Sequence, residues 1–165
     1  MNSAERSNKL ELTTPSDREI VMTRSFAAPR TTVFDAFTKP ELVRRWLLGP
    51  CGWSMPVCDI DLKPGGKYKY TWRNDADGKE FGVSGTFLEV ARPERTVHLE
   101  KFDEEWYPGE AQITTTFIER NGATLTTMTI LHESREARDQ ALETGMADGV
   151  AVSYDRLEDI LDSAA

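Results

Sequence analysis

The sequence predicts an α+β domain in which a curved antiparallel sheet packs around one long C-terminal helix. Three observations support this prediction. Apolar and polar residues alternate in the middle of the chain, most clearly at residues 67–73, which is typical of a strand with one buried face. Turn sequences separate such segments, and Asn121-Gly122 is the strongest hairpin signal among them. From Ser134 to Leu161 the apolar residues recur at helical spacing.

The elements that precede this helix follow from local patterns. Residues 18–26 form the first strand, because apolar side chains fall there at even spacing among polar ones. Two short helices are predicted next, at residues 31–38 and 41–47, bounded by prolines and a glycine. The strands of an antiparallel meander are predicted at residues 53–62, 67–73, 81–90, 96–102, 113–120 and 123–132.

Residues 134–161 are predicted as a single helix with Ser134 as its N-cap. One face of this helix holds the residues that would meet the sheet, namely Leu142, Gly145, Met146, Gly149, Val150, Ser153, Leu157 and Ile160. Residues 1–17 show no sustained periodicity and are expected to be a flexible tail. Residues 18–165 are therefore expected to form a single domain.

Composition excludes several classes of protein. The chain has 165 residues and a net charge of −8, which argues against a nucleic-acid partner. No apolar run reaches the ~18–20 residues of a membrane span, and the N-terminus does not resemble a signal peptide. Two cysteines and two histidines are too few for a disulfide scaffold or a zinc cage. We expect a cytoplasmic protein without metal or cofactor, in which Cys51 and Cys58 are reduced.

The charge is unevenly distributed along the chain. Residues 1–101 carry a net charge of +2 and residues 102–165 a net charge of −10. Solvation of the C-terminal helix accounts for much of this excess. The remaining acidic residues surround Trp106-Tyr107, so the segment 103–110 is where a charge-guided partner would be expected.

Four blocks of sequence stand out in order: residues 26–50 (FAAPRTTVFDAFTKPELVRRWLLGP), 59–68 (DIDLKPGGKY), 85–95 (GTFLEVARPER) and 145–157 (GMADGVAVSYDRL). Together they resemble the SRPBCC superfamily, and within it the activator of heat-shock-protein-90 ATPase homologue group. The resemblance spans residues 18–162 and implies the START-like helix-grip fold, with a cavity between sheet and helix. Val150 stands where many members have tryptophan, so that ring's contacts are not transferred to this chain.

Aromatic residues and glycines supply the candidate lining of such a cavity, because small-molecule pockets are mainly apolar and aromatic. Gly145 and Gly149 permit two interpretations, close packing of the helix on the sheet or room left for a ligand. Trp106 lies in an acidic loop, where a lid or a partner contact is as reasonable as packing. The candidates are Trp46, Trp53, Tyr70, Trp72, Phe87, Phe102, Trp106, Phe117, Gly145, Met146, Gly149 and Val150.

Polar candidates are few. Glu89 shares a predicted strand face with Phe87, where it is expected to be paired or at the rim, the alternative being an inward carboxyl with a raised pKa. Arg156 borders the apolar helix face, where it could anchor a polar ligand head or pair with a carboxylate. His98 is expected to face solvent, and His132 to lie at the surface or cap the helix. No nucleophile–base pair can be assigned, so no catalytic residue is predicted.

The hypothesis that these observations favour is a non-enzymatic domain that binds a small apolar or aromatic molecule. One alternative is a protein-interaction module with a chaperone partner, by analogy with the activator whose name the group carries. Another is an enzyme of the polyketide cyclase or hydrolase type, which the superfamily also contains. A homodimer is compatible with a sheet-rich domain of this size.

Overall fold

The computed structural model describes residues 9–164 of the chain. Within them, eight strands form one antiparallel sheet and four helices cover it. The strands are β1 (Glu11–Thr13), β2 (Glu19–Phe26), β3 (Trp53–Ile60), β4 (Lys67–Asn74), β5 (Glu80–Ala91), β6 (Arg95–Phe102), β7 (Ala111–Arg120) and β8 (Ala123–Leu131). The helices are α1 (Arg30–Thr38), α2 (Pro40–Trp46), α3 (Arg135–Glu143) and α4 (Met146–Ala164).

The strand order β1-β2-β8-β7-β6-β5-β4-β3 confirms the predicted α+β architecture. Strands β3 to β8 form a meander, and β2 adds to its far edge by pairing with β8. The segment containing α1 and α2 therefore joins strands at opposite sides of the sheet. The hairpin predicted at Asn121-Gly122 is confirmed, with both residues at positive φ as a tight hairpin turn requires.

Strand β1 lies inside the segment that was expected to be a flexible tail. Its three residues pair with β2, where Leu12 lies opposite Met22. Leu10, just before the strand, packs against two clusters of core residues. Residues 1–8 lie outside the described part of the chain.

Two large apolar clusters hold the helices on the sheet. The first joins α1, α2 and α4 to the sheet through Phe26, Val33, Phe34, Trp46, Phe117, Tyr154, Leu157 and Leu161. The second joins α3 and the β6–β7 loop to the sheet through Ile20, Met22, Tyr107, Ala111, Ile113, Ile130, Ala137 and Ala141. Two smaller clusters lie on β3, β4 and β5. The inner face is thus divided among several cores.

The prediction of one uninterrupted C-terminal helix is wrong. Ser134 does cap α3, because its hydroxyl accepts a hydrogen bond of 3.0 Å from the Ala137 amide. However, α3 ends at Glu143, and Gly145 has φ +78°, a left-handed conformation that favours glycine after a helix. Helix α4 begins anew at Met146. This break, rather than either interpretation made from the sequence, explains the glycine at position 145.

Candidate functional site

Strand β6 directs two titratable side chains, His98 and Glu100, to the inner face of the sheet. In the register with β7, His98 lies opposite Ile113 and Glu100 lies opposite Ala111. Both partners are core residues. Because directly opposed residues of antiparallel neighbours project to the same face, the imidazole and the carboxyl point toward the helices.

Tyrosines surround this pair. The His98 ring lies 5.1 Å from the Tyr68 ring, centroid to centroid. The Tyr68 hydroxyl donates to the Leu99 carbonyl at 3.2 Å, and the Tyr107 hydroxyl donates to Oε2 of Glu100 at 3.5 Å. The latter distance is long for an O–H···O bond, so the carboxylate is only weakly satisfied. We refer to Tyr68, His98, Glu100 and Tyr107 as the inner polar cluster.

Burial sets the protonation of this cluster. It raises the pKa of Glu100 to about 7, against the smaller opposing effect of the Tyr107 hydrogen bond. It lowers the pKa of His98 to about 4, so the imidazole is neutral at pH 7. Burial also raises the pKa of Tyr68 and of Tyr107, which keeps both hydroxyls protonated. The cluster therefore holds one group that titrates near neutral pH.

A strip of aromatic rings leads from the edge of the sheet to this cluster. Trp72 stacks on Phe81 at 5.1 Å, and Trp53 meets Phe81 edge-on at 5.3 Å. Phe81 contacts Trp106 at 4.9 Å, and Trp106 stacks on Phe102 at 4.8 Å. We refer to these five residues as the aromatic rim. The Phe102 ring continues to the inner polar cluster, 6.1 Å from its nearest tyrosine ring.

The loop after α2 connects the rim to α4. The Leu47 carbonyl accepts a 2.7 Å hydrogen bond from Nε1 of Trp72. The Gly49 amide donates to Oγ of Ser153 at 2.9 Å. Gly149 lies one helical turn before Ser153 and therefore on the same side of α4.

Side chains do not fill the space beside Gly149. A Cβ atom built there would meet no heavy atom within 4 Å beyond its own helix neighbourhood. Of the two interpretations made from the sequence, close packing is therefore wrong for this glycine. Several side chains of the inner face of the sheet and of α4 are half-buried rather than fully buried, namely Tyr70, Trp72, His98, Glu100, Phe102, Met128, Met146 and Val150.

Comparison with known proteins identifies the family. The family model described as "Activator of Hsp90 ATPase homolog 1-like protein" matches residues 27–162. The chain belongs to this family. The resemblance drawn from the four sequence blocks is thereby confirmed, and the helix-grip architecture agrees with it.

Solved structures show the same fold. A crystal structure of a protein from Rhodobacter sphaeroides is 27% identical, with a TM-score of 0.88, and the match covers 94% of this chain and 99% of that chain. A solution structure from Staphylococcus epidermidis is 27% identical, with a TM-score of 0.78 and coverages of 92% and 94%. A crystal structure from Mycobacterium smegmatis is 26% identical, with a TM-score of 0.77 and coverages of 92% and 97%. A search of curated proteins finds no match.

The structure brings part of the predicted lining together. Trp53, Trp72, Phe102 and Trp106 belong to the aromatic rim, and Trp106 remains 37% exposed. Tyr70 lies beside Trp72 on the inner face, with ring centroids 5.9 Å apart. In α4, Met146, Gly149 and Val150 are half-buried, and Met146 and Val150 pack against the same core cluster as Phe102.

Other predicted lining residues lie in apolar cores. Trp46 is 3% exposed, donates from Nε1 to the Ala36 carbonyl at 2.9 Å and packs against Tyr154. Phe117 is buried in the same cluster. Phe87 is buried on β5, and its ring centroid lies 5.7 Å from that of His98, so it packs against the inner polar cluster.

Glu89 does not project inward, and of the two positions considered from the sequence the structure shows the paired one. The register between β5 and β6 shifts from Phe87 opposite His98 to Glu89 opposite Val97, which is a β-bulge. The extra residue turns the following side chain to the other face of the sheet. Glu89 there forms an ion pair of 3.0 Å with Arg95.

Arg156 has neither of the roles proposed from the sequence. Its guanidinium donates to the carbonyls of Trp46 at 3.0 Å and Gly49 at 2.9 Å. The first bond is to the carbonyl of the last residue of α2, and the second is to a carbonyl of the loop that follows it. Arg156 thus fixes the loop that joins the rim to α4.

Both histidine predictions are wrong. His98 faces inward on β6, as described above. His132 is 1% exposed, and its ring meets the Tyr107 ring edge-on at 4.7 Å. Burial, together with the positive charge of Arg138, lowers the pKa of His132. The second histidine therefore supports the loop that carries Tyr107.

Cys51 is exposed and Cys58 is buried, and burial raises the pKa of the Cys58 thiol. Among residues 9–164, no group of three or more His, Cys, Asp or Glu side chains is arranged to hold a metal ion. In the same part of the chain, no helix is both long and apolar enough to cross a bilayer.

Sequence reasoning missed Glu100. The available signal was its spacing of two from Phe102, a predicted lining residue, which places both on one face of a strand. The apolar neighbours Val97 and Leu99 suggested instead that the opposite face was the buried one. On β6 both faces bear partly or fully buried residues, so alternation alone could not decide between them.

Proposed function

We propose that this protein binds a small aromatic or apolar molecule between the inner face of the sheet and α4. The observation that carries the proposal is the open space beside Gly149, where an added Cβ would meet no heavy atom within 4 Å, in a helix whose Met146 and Val150 stay half-buried. A ligand that fills this space would bury apolar surface that is otherwise in contact with water.

The side chains around this space have the chemistry of a small-molecule site. Such sites combine mainly apolar and aromatic walls with a few polar groups that orient the ligand. Here the aromatic rim would provide the walls, and the inner polar cluster would provide the orienting groups. Trp106, which is 37% exposed, offers a ring at the solvent side of the proposed site.

Filling the space should test the proposal. A panel of naphthalene and biphenyl derivatives, screened by ligand-observed NMR and thermal shift, should contain binders of the parent protein. Gly149→Leu places a side chain in the empty region and should weaken their binding at least tenfold. Val152→Leu enlarges an exposed side chain of the same helix, which is 38% exposed, and should leave binding unchanged.

Circular dichroism and the unfolding transition of each variant should establish that it is folded. A folded Gly149→Leu protein that binds the same compounds as tightly as the parent would contradict the proposal. Failure of every compound to bind the parent protein would also contradict it.

A further inference from the structure

The inner polar cluster contains an acid, Glu100, but no cationic group, because its one base, His98, is neutral at pH 7. Glu100 accepts one long hydrogen bond, from the Tyr107 hydroxyl. Among the described residues, no lysine or arginine contributes to its electrostatic environment. A buried carboxylate without a cationic partner is costly, so such groups are paired in most proteins.

The groups that face Glu100 from each neighbouring element are neutral. Strand β4 contributes Tyr68 and Tyr70, whose interactions with Glu100 raise their own pKa values after the larger effect of burial. Strand β6 contributes His98, which is neutral at pH 7. The β6–β7 loop contributes Tyr107. The apolar side chains that β7, α3 and α4 contribute to the adjoining core are Ala111, Ile113, Ala137, Ala141, Leu142, Met146 and Val150. Helix α3 also buries Arg138, whose guanidinium donates to the Ser16 carbonyl at 2.8 Å and whose charge acts on His132.

The approach to this cluster also favours positive charge. The faces of Trp72, Phe81 and Trp106 carry the negative part of their ring quadrupoles, to which cations are attracted. Glu104 and Glu105 are exposed next to Trp106, and Oε2 of Glu104 lies 3.3 Å from its Nε1. Negative groups around an opening raise the local concentration of cations.

We propose that the ligand of this site is an organic cation, an amine with an aromatic or apolar body, whose ammonium group pairs with the Glu100 carboxylate. This inference rests on the proposed function and specifies its ligand class. The apolar body would contact the aromatic rim and α4. The ammonium would supply the hydrogen-bond donors that the carboxylate lacks in the free protein.

Three probes that share one ring system and differ in charge test whether the site prefers a cation. 2-Naphthylmethylamine, 2-naphthylmethanol and 2-naphthoic acid should be titrated at pH 7.5 by calorimetry or ligand-observed NMR. We expect the amine to bind at least tenfold more tightly than the alcohol, and the carboxylic acid to bind more weakly than both. Glu100→Gln should remove the preference for the amine, whereas Glu143→Gln, which removes the same charge from an exposed position at the end of α3, should preserve it.

The pH dependence gives a second measurement that needs no variant. Glu100 has a pKa of about 7 in the free protein, and a bound cation would lower it. Binding of the amine should therefore release a proton at pH 6. Its affinity should fall by up to about tenfold per pH unit below pH 7 and be nearly constant above it, while the alcohol shows no such loss.

The outcomes distinguish the two proposals. If the alcohol binds as tightly as the amine, or Glu100→Gln does not change the preference, the cation inference is overturned and the binding function stands. If the alcohol binds more tightly at low pH, Glu100 acts instead as a neutral donor, which also overturns the inference. If none of the three probes binds, both proposals fail.

Discussion

The surroundings of Glu100 disfavour the ionised form of its carboxyl. The ordinary pKa of its carboxyl is 4.5, and burial raises it to about 7. A folded-state pKa above the unfolded-state value means that the folded protein retains a proton that the unfolded chain has lost. Between these two pH values the carboxyl therefore becomes progressively more destabilising as pH rises. Such a cost is typical of groups kept for function rather than for stability.

Glu100→Gln should stabilise the protein in a pH-dependent way. Glutamine has no charge to desolvate, so we expect a gain of about 1–3 kcal/mol at pH 8, allowing for partial solvation of the parent carboxyl. Near pH 4.5 the parent carboxyl is protonated in the folded state and half protonated in the unfolded state, so the gain should fall to about 0.4 kcal/mol. Urea unfolding of both proteins at the two pH values would measure this difference.

The two histidines titrate in the opposite sense. Because the pKa values of His98 and His132 are lowered in the folded protein, both residues reduce its stability as pH falls below about 6.5. This loss is the same in the parent and in Glu100→Gln, so it cancels when their stabilities are compared. A gain of the same size at pH 4.5 and at pH 8 would contradict the assigned raised pKa of Glu100.

At the level of single elements, the two glycines near the start of α4 serve different purposes. Gly145 has φ +78° and separates α3 from α4, whereas Gly149 lies within α4. At neither position would an added Cβ lie within 4 Å of another part of the molecule. Backbone conformation alone therefore distinguishes them, which makes them a matched pair.

The two alanine substitutions should have opposite signs. Gly145→Ala places a Cβ on a left-handed residue and should cost about 1 kcal/mol or more. Gly149→Ala replaces a poor helix former inside a helix and should stabilise the protein by up to about 1 kcal/mol. Urea unfolding at constant pH measures both. A gain in stability with Gly145→Ala would contradict the break between the helices.

Most elements could be predicted because their signals are local. The hairpin at Asn121-Gly122, the N-cap at Ser134 and the alternation in β4 each depend on a few neighbouring residues. The helix break at Gly145 was missed because a glycine within a periodic pattern is compatible with both a continuous and an interrupted helix. The bulge that turns Glu89 outward could not be predicted, because a bulge at Leu88 has no distinct signature in the sequence.

At the level of the whole molecule, the candidate site depended on contacts that no local pattern contains. Trp106 meets Phe81 across the gap between a loop and a strand 25 positions earlier in the chain. Composition identified the aromatic residues, and the family resemblance identified the architecture. Neither showed which aromatic residues pack in the core, as Trp46 does, because that depends on how the helices dock on the sheet.

Arg24 joins the sheet to α4 in a way that the sequence also did not predict. It lies on the inner face of β2, and its side chain is 2% exposed. Its guanidinium contacts Asp155 at 2.6 Å and Glu158 at 3.4 Å, and it lies 5.7 Å from the centre of the Phe26 ring. The guanidinium is buried on the sheet, whereas the Asp155 side chain is 70% exposed on the helix.

Because of this difference in burial, removing the arginine and removing its acidic partners should lower the free energy of unfolding by different amounts. The double variant Asp155→Ala, Glu158→Ala leaves a buried guanidinium without its acidic partners and should cost about 3 kcal/mol. Arg24→Met removes the buried charge itself, leaves Asp155 hydrated and leaves only Glu158 partly buried, so it should cost less than the double variant, about 1 kcal/mol. Both values can be measured by urea unfolding at pH 7.

A control with the same change in charge separates this local effect from the general repulsion among acidic residues of α4. The double variant Asp159→Ala, Asp162→Ala removes two exposed acids from the same helix and should change stability little. If Arg24→Met lowers stability as much as the double variant Asp155→Ala, Glu158→Ala does, the attraction between the guanidinium and its two carboxylates stabilises the fold. If the order is as expected, the acids are required chiefly because the arginine is buried, and the sheet and helix are held together mainly by the apolar cluster around Tyr154 and Leu157.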